Sequence, residues 1–222
     1  AILRESVNVH ATRGNLNNHI GVPLTLLDMD DQCDLAVIEM GASAAGEISY
    51  LCSIAQPDIA LINNIQRAHI AGFGNIEAIA EAKSEIYSGL NANGVAILNL
   101  DESYSKDWLA LIAERQYLSF SVKDSRADVF AKDIKELGNG CYSFILCVGE
   151  TGETAAVDQL IELSNPGIHS VSNALAATAC ALAAGATVTQ IINGLAKVKP
   201  LSGRLEAKIM GDDVLVIDDT YN

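Results

Sequence analysis

Residues 59–99 read IALINNIQRAHIAGFGNIEAIAEAKSEIYSGLNANGVAILN, and this stretch decides the fold. At its ends lie two short apolar runs, Ile59 to Asn63 and Val95 to Asn99, composed as strands buried on both faces are. Between them Ile79, Ala82, Ile86 and Leu90 recur at helical spacing, which predicts an amphipathic helix over Ile76 to Leu90. Asn75 stands where an N-cap is needed, and Gly89 or Gly94 marks the helix end and the start of the next strand. Strand, helix and strand in this order form a βαβ unit with parallel strands.

The pattern extends in both directions. Upstream, Leu35 to Glu39 reads as another buried strand, and Gly46 to Ala55 as a helix through Ile48, Leu51, Cys52 and Ala55. Downstream, a helix is expected over Lys106 to Glu114, and the character changes near Ser121. From Asp128 to Leu163 alternation and turn sequences such as Gly138-Asn139-Gly140 predict antiparallel hairpins on the sheet edge, a subregion spanning residues 122–163. Helices return at His169 to Ala184 and Thr187 to Lys197, and two short strands, Leu205 to Met210 and Val214 to Asp218, close the chain. The fold class expected is α/β: a mainly parallel sheet flanked by helices, with a small antiparallel section. The chain opens in what reads as a helix tail, Ile2 to Val7, and stops just after a strand, so one domain over residues 1–222, cut at both ends, is expected.

Composition narrows the function. Half of the 222 residues are hydrophobic, enough for a sizeable core, yet no run approaches the ~18 apolar residues of a membrane helix. The first residues, AILRESVNVH, lack the pattern of a signal peptide, so a cytoplasmic protein with no membrane partner is expected. The net charge of −14 and the absence of basic clusters argue against nucleic acid as a partner. A nucleotide remains compatible, provided that backbone N–H groups, local cations or Mg²⁺ supply the positive field. Five scattered cysteines without C-x-x-C spacing read as free thiols in a reducing compartment.

Three residues are candidates for chemistry. Glu39 closes an apolar strand two positions before Gly41, and a carboxylate beyond a strand's carboxyl end can hold Mg²⁺ or simply be solvated. His69 comes after the next strand and falls on the same side of the sheet, although a lone histidine is more often a surface or core residue. Lys83 lies within a helix, where pairing with Glu81 or Glu85 is the plainest role.

Taken in order, Gly14-Asn15-Leu16-Asn17-Asn18-His19-Ile20-Gly21-Val22-Pro23, Glu39-Met40-Gly41-Ala42, Asn63-Asn64 with Ala68-His69, and Ala82-Lys83-Ser84-Glu85-Ile86 resemble the MurF branch of the Mur ligases. The match runs from about residue 12 to the last residue. The resemblance implies an ATP-dependent amide ligase that adds D-alanyl-D-alanine to UDP-N-acetylmuramoyl-tripeptide through an acyl phosphate. It implies Mg²⁺ on Glu39 and His69, with Lys83 matching a lysine that carries a carbamate. It implies that Thr12, Asn15 and Asn17 handle the UDP-muramoyl substrate, although asparagines are also common loop formers. Asn173, in Gly167-Ile168-His169-Ser170-Val171-Ser172-Asn173, matches a residue contacting adenine, while Ser170 replaces an asparagine of the pattern and is a candidate helix cap. Arg204 and Asp219 match residues near the nucleotide, Asp219 at the ribose. No G-x-x-x-x-G-K-[ST] loop occurs, so the 222-residue chain is expected to be inactive alone. A nucleotide-binding module without turnover and another amide ligase of the same superfamily stay open as alternatives.

Overall fold

In the computed structural model the residues described are 1–66, 70–112, 114–138, 140–150, 156–199, 206–210, 214–218 and 220. A turn of 3₁₀ helix, Ile2–Glu5, leads into β1 (Val9–Ala11), α1 (Gly21–Leu27), β2 (Leu35–Val37), α2 (Glu47–Ala55), β3 (Ile59–Leu61), α3 (Ile70–Phe73), α4 (Ile76–Ser88) and β4 (Val95–Asn99). Next come α5 (Ser105–Ile112), β5 (Gln116–Ser121), β6 (Val129–Glu136), β7 (Tyr142–Val148), β8 (Val157–Glu162), α6 (His169–Ala183), α7 (Val188–Ala196), β9 (Glu206–Met210) and β10 (Val214–Asp218).

Six strands form one sheet in the order β3-β4-β5-β6-β7-β8. Pairing is parallel from β3 to β6 and antiparallel from β6 to β8. Helices α4 and α5 provide the crossovers that the parallel pairs β3–β4 and β4–β5 need, whereas β5 and β6 follow each other without a helix and pair in parallel only through Phe120↔Val129 and Ser121↔Phe130. A bulge between Lys132 and Lys135 bends β6, and there Asp133 takes a positive φ of 49°. Separately, β1 pairs parallel with β2, and β9 antiparallel with β10.

The sheet is buried on both faces. On β4, Ile97 joins Phe120, Val129, Phe144 and Leu146 beneath Val171, Leu175 and Ala179 of α6, with Ile191 and Leu195 of α7 alongside. Its neighbours Ala96 and Leu98 point the other way, onto Tyr87 and Leu90 at α4 and Trp108 and Ile112 of α5. This two-residue alternation puts one strand into two cores, which its continuous apolar run predicts. Alanines at 174, 176, 179 and 181 are buried and let α6 lie close on the sheet. A third, smaller cluster of Val22, Ile48, Leu51 and Cys52 joins α1 to α2.

Several expectations need correction. The opening segment is a 3₁₀ turn that ends at Glu5, short of Val7. Strand β2 stops at Val37, and Val37 is 50% exposed, because β2 is flanked by β1 alone among the described residues; Ile38 and Met40, beyond the strand, supply the packing. Strand β3 likewise ends at Leu61, short of Asn63. Ser170 caps nothing: it is the second residue of α6, and its Oγ donates 2.9 Å back to the Pro166 carbonyl. Elements β1, α1, α3 and β5 stand where the sequence shows no strong periodicity. The caps of α4 are as expected: Asn75 accepts from the Ala78 N–H at 2.7 Å, and Gly89 terminates the helix.

Candidate functional site

The carboxyl ends of β3 and β4 meet the start of α6 through Asn63, Asn99 and Asn173, and α4 ties the loop after β2 to the loop after β3. Glu39 lies two residues beyond β2 and is exposed. Its conformation is set locally. The Glu39 backbone N–H donates 2.9 Å to Thr12 Oγ1, and Asn17 Nδ2 donates 2.8 Å to Glu39 Oε1. The Gly41 N–H then returns to the Asn17 carbonyl at 2.8 Å. Thr12 and Asn17, expected to face a substrate, are therefore engaged with Glu39, while Asn15 is exposed and offers its carbonyl to the Asn17 N–H. The Asn17 contact takes up only one of the two carboxylate oxygens, Oε1.

Lys83 does not pair with its helical neighbours. Its Nζ donates 3.1 Å to the Asn64 carbonyl in the loop after β3. Burial pushes the Lys83 ammonium below the usual lysine range, with the Glu102 carboxylate acting in the opposite sense. Glu85, two residues on, accepts from the Gly46 N–H at 2.7 Å and the Ser49 N–H at 2.9 Å. It thus caps α2, whose own N-cap is Gly46 and has no capping side chain. Glu47 folds back onto the preceding turn and accepts from the Ser43 and Ala44 N–H groups, which lowers its pKa. Helix α4 therefore holds the loop after β2 through Glu85 and the loop after β3 through Lys83.

His69 lies outside the described residues, as do Arg204 and Asp219. A Cβ on Gly72, in α3, would come within 2.6 Å of the Ser43 carbonyl, so α3 abuts the loop beyond Glu39. Asn173, in the second turn of α6, is exposed, and its Oδ1 accepts from Asn63 Nδ2 at 2.7 Å. Asn63 is anchored in turn, its carbonyl accepting from Asn99 Nδ2 at 2.8 Å. Tyr87 Oη, buried beneath, donates 2.8 Å to the Ile97 carbonyl and accepts from the Ile62 N–H at 3.4 Å. Asn63 and Glu85 lie in segments that carry the resemblance but had no role assigned from sequence, and nothing in the sequence singles out Asn99.

As a donor set for Mg²⁺ these residues fit in part. Glu39 offers a hard carboxylate oxygen, which suits the ion. Lys83 as an ammonium repels it, and suits it only if converted to a carbamate, a conversion that its desolvated amine favours. A separate hollow of about 280 Å³ between β1 and α1 is lined by His10, Arg13, Leu16, Leu24, Thr25 and Asp28 with Ala11, and it contains none of the candidate residues.

Comparison with known proteins matches residues 1–181 to the Mur ligase middle domain. The Escherichia coli (strain K12) UDP-N-acetylmuramoyl-tripeptide–D-alanyl-D-alanine ligase is 42% identical over 222 residues, which is 100% of this chain and 48% of that protein. The Haemophilus influenzae ligase of the same name is 41% identical over 220 residues, 98% of this chain and 45% of that one. Among solved structures, MurF from Acinetobacter baumannii superposes with a TM-score of 0.91 at 38% identity, covering 100% of this chain and 46% of its own. MurF from Thermotoga maritima, in complex with ADP, gives 0.82 at 29% identity, covering 100% and 49%. This chain spans about half the length of the relatives it matches. With its parallel sheet, its helical layers and a family match over most of its residues, the chain belongs to the Mur ligase middle-domain family.

Proposed function

We propose that the chain serves as the ATP-handling middle domain of a cytoplasmic ligase that joins D-alanyl-D-alanine to UDP-N-acetylmuramoyl-tripeptide. The observation that carries this reading is the 42% identity to such a ligase over the whole chain, supported by Glu39 being held by Asn17 and by Lys83 being drawn against the loop after β3. Residues 1–222 then form one domain, with residues 122–163 as its antiparallel edge.

In this reading Glu39, His69 and a carbamylated Lys83 hold Mg²⁺, and Asn173, Arg204 and Asp219 meet the nucleotide. Magnesium at that position would neutralise charge where a carboxylate and a triphosphate must approach one another. The chain's own contribution is orientation. Asn17 fixes one oxygen of Glu39 and so leaves the other for the ion. Thr12 holds the Glu39 backbone, so Thr12 and Asn17 act on substrate through Glu39, and Asn15 serves direct contact. The Asn64 carbonyl keeps the Lys83 amine at the mouth of the loop that leads to His69.

The test is ATP-dependent phosphate release by the ligase that contains this chain, assayed with both substrates. Glu39→Gln and Lys83→Ala should each lower kcat by about 10²-fold or more, the scale for removing a group that stabilises developing charge. Activity retained by both variants would refute the assignment. The 222-residue chain alone should release no phosphate.

A further inference from the structure

Gly72 sits where no side chain fits. A Cβ built on it would lie 2.6 Å from the Ser43 carbonyl oxygen, so α3 rests backbone to backbone on the loop after β2. Helical propensity by itself favours alanine over glycine, so the glycine answers to this seat and not to the helix. The two partners are not equally free to move. The loop is tied along its length: the Gly41 N–H donates to the Asn17 carbonyl at 2.8 Å, the Ser43 N–H to Glu47 at 2.7 Å and the Gly46 N–H to Glu85 at 2.7 Å. Helix α3 has only four residues and joins α4 through Gly74, at a φ of 86°, and the Asn75 cap. A side chain at position 72 therefore displaces α3 rather than the loop.

We infer that Gly72 is a positioning residue that sets the spacing between the chain segment of Glu39 and that of His69. Ser43 lies four residues after Glu39, and α3 begins at the residue that follows His69. The glycine is thus a spacer of minimal thickness between two segments that each bring one candidate ligand. Clearing the carbonyl takes a shift of about 1 Å, since non-bonded heavy atoms settle at roughly 3.5 Å. Magnesium tolerates little departure from bond lengths of about 2.0–2.1 Å, so a shift of that size takes one of the two ligands off the ion. The inference rests on the proposal above that Glu39 and His69 share a metal, and adds to it the residue that sets their spacing.

The test measures binding of Mn²⁺, used alone as a probe in place of Mg²⁺, by the electron paramagnetic resonance signal of the free ion in solutions of the ligase containing this chain. Gly72→Ala should weaken Mn²⁺ binding about 10-fold, the lower end for groups that orient metal ligands, and raise the magnesium concentration for half-maximal ligase activity by a similar factor. Gly72→Val, which needs more room, should weaken binding further. A purely structural role would lower the urea midpoint of the metal-free protein and leave Mn²⁺ binding by the folded enzyme unchanged, and this result overturns the inference. It is overturned equally if Glu39→Gln weakens Mn²⁺ binding while both Gly72 variants bind the ion as the unaltered enzyme does. If Glu39→Gln itself leaves Mn²⁺ binding unaltered, the metal reading is wrong, and the inference falls with it for that separate reason.

Discussion

Glu39 is exposed, yet two short side chains decide how it is presented. Thr12 and Asn17, remote in sequence, hold its backbone and one carboxylate oxygen at 2.9 and 2.8 Å. Asn17→Ala should let the carboxylate rotate freely. The magnesium concentration for half-maximal ligase activity should then rise about 3- to 10-fold, the value of one hydrogen bond to a charged group at an exposed site. A magnesium titration reads this directly, and an unchanged midpoint refutes it. The cysteines make a second prediction at this scale. Burial pushes the Cys52 thiol up to about 11 and the Cys180 thiol up to about 12 from an ordinary value of 9.0. Because the folded-state pKa lies above the unfolded one, their contribution to stability is complete below pH 9 and is lost as pH rises toward 11 and 12. Denaturant midpoints should fall across that window, and both thiols should resist alkylation near pH 8 until the chain unfolds.

Among the elements, α4 works as a strut between two loops. Glu85 caps α2 from outside it, and Lys83 holds the loop after β3. Glu85→Ala leaves two N–H groups at the α2 start unsatisfied and removes a favourable charge from the helix N-terminus. It should destabilise the chain by about 1–3 kcal/mol, measured by urea unfolding, with Glu85→Gln losing less. Helix α7 has a different constraint. A side chain at Gly194 would collide with the backbone of Ile2, where α7 packs on the opening 3₁₀ turn. Gly194→Ala should cost about 1–3 kcal/mol through forced separation of the two elements, detectable as a lower unfolding midpoint. The same helix starts at a capping box, with Thr187 and Gln190 bonded reciprocally, so its start is fixed by sequence and its seat by that glycine.

For the whole molecule, stability resides in the six-stranded sheet between α6 and α7 on one face and α4 and α5 on the other. Ile97, fully buried on the middle of β4, should cost about 2–5 kcal/mol when replaced by alanine. Val37, at 50% exposure on β2, should cost less than about 0.5 kcal/mol for the same change. Thermal or chemical unfolding of the two variants side by side tests whether the sheet beginning at β3 carries the fold.

The long apolar runs and the helices between them were legible because their period records burial directly: β4 has the same bounds in sequence and structure, and α4 starts at its Asn75 cap. The same logic overstated β2, since an apolar run says nothing of how many neighbours the strand finds, and it passed over β5, where Gln116 and Tyr117 at the exposed end dilute the pattern. Glu39, Lys83 and Asn173 could be named from ordered motifs. What each one touches could not, because a hydrogen bond between residues 22, 19 or 110 positions apart depends on where the chain returns, not on local propensity. By itself, then, the amino-acid order determined the α/β class, the main helices and the identity of the candidate groups, all properties of local period and residue type. Only tertiary structure decided that Asn17 serves Glu39, that Glu85 caps a helix other than its own, and that Asn63 bonds Asn173, since each contact joins groups far apart in the chain.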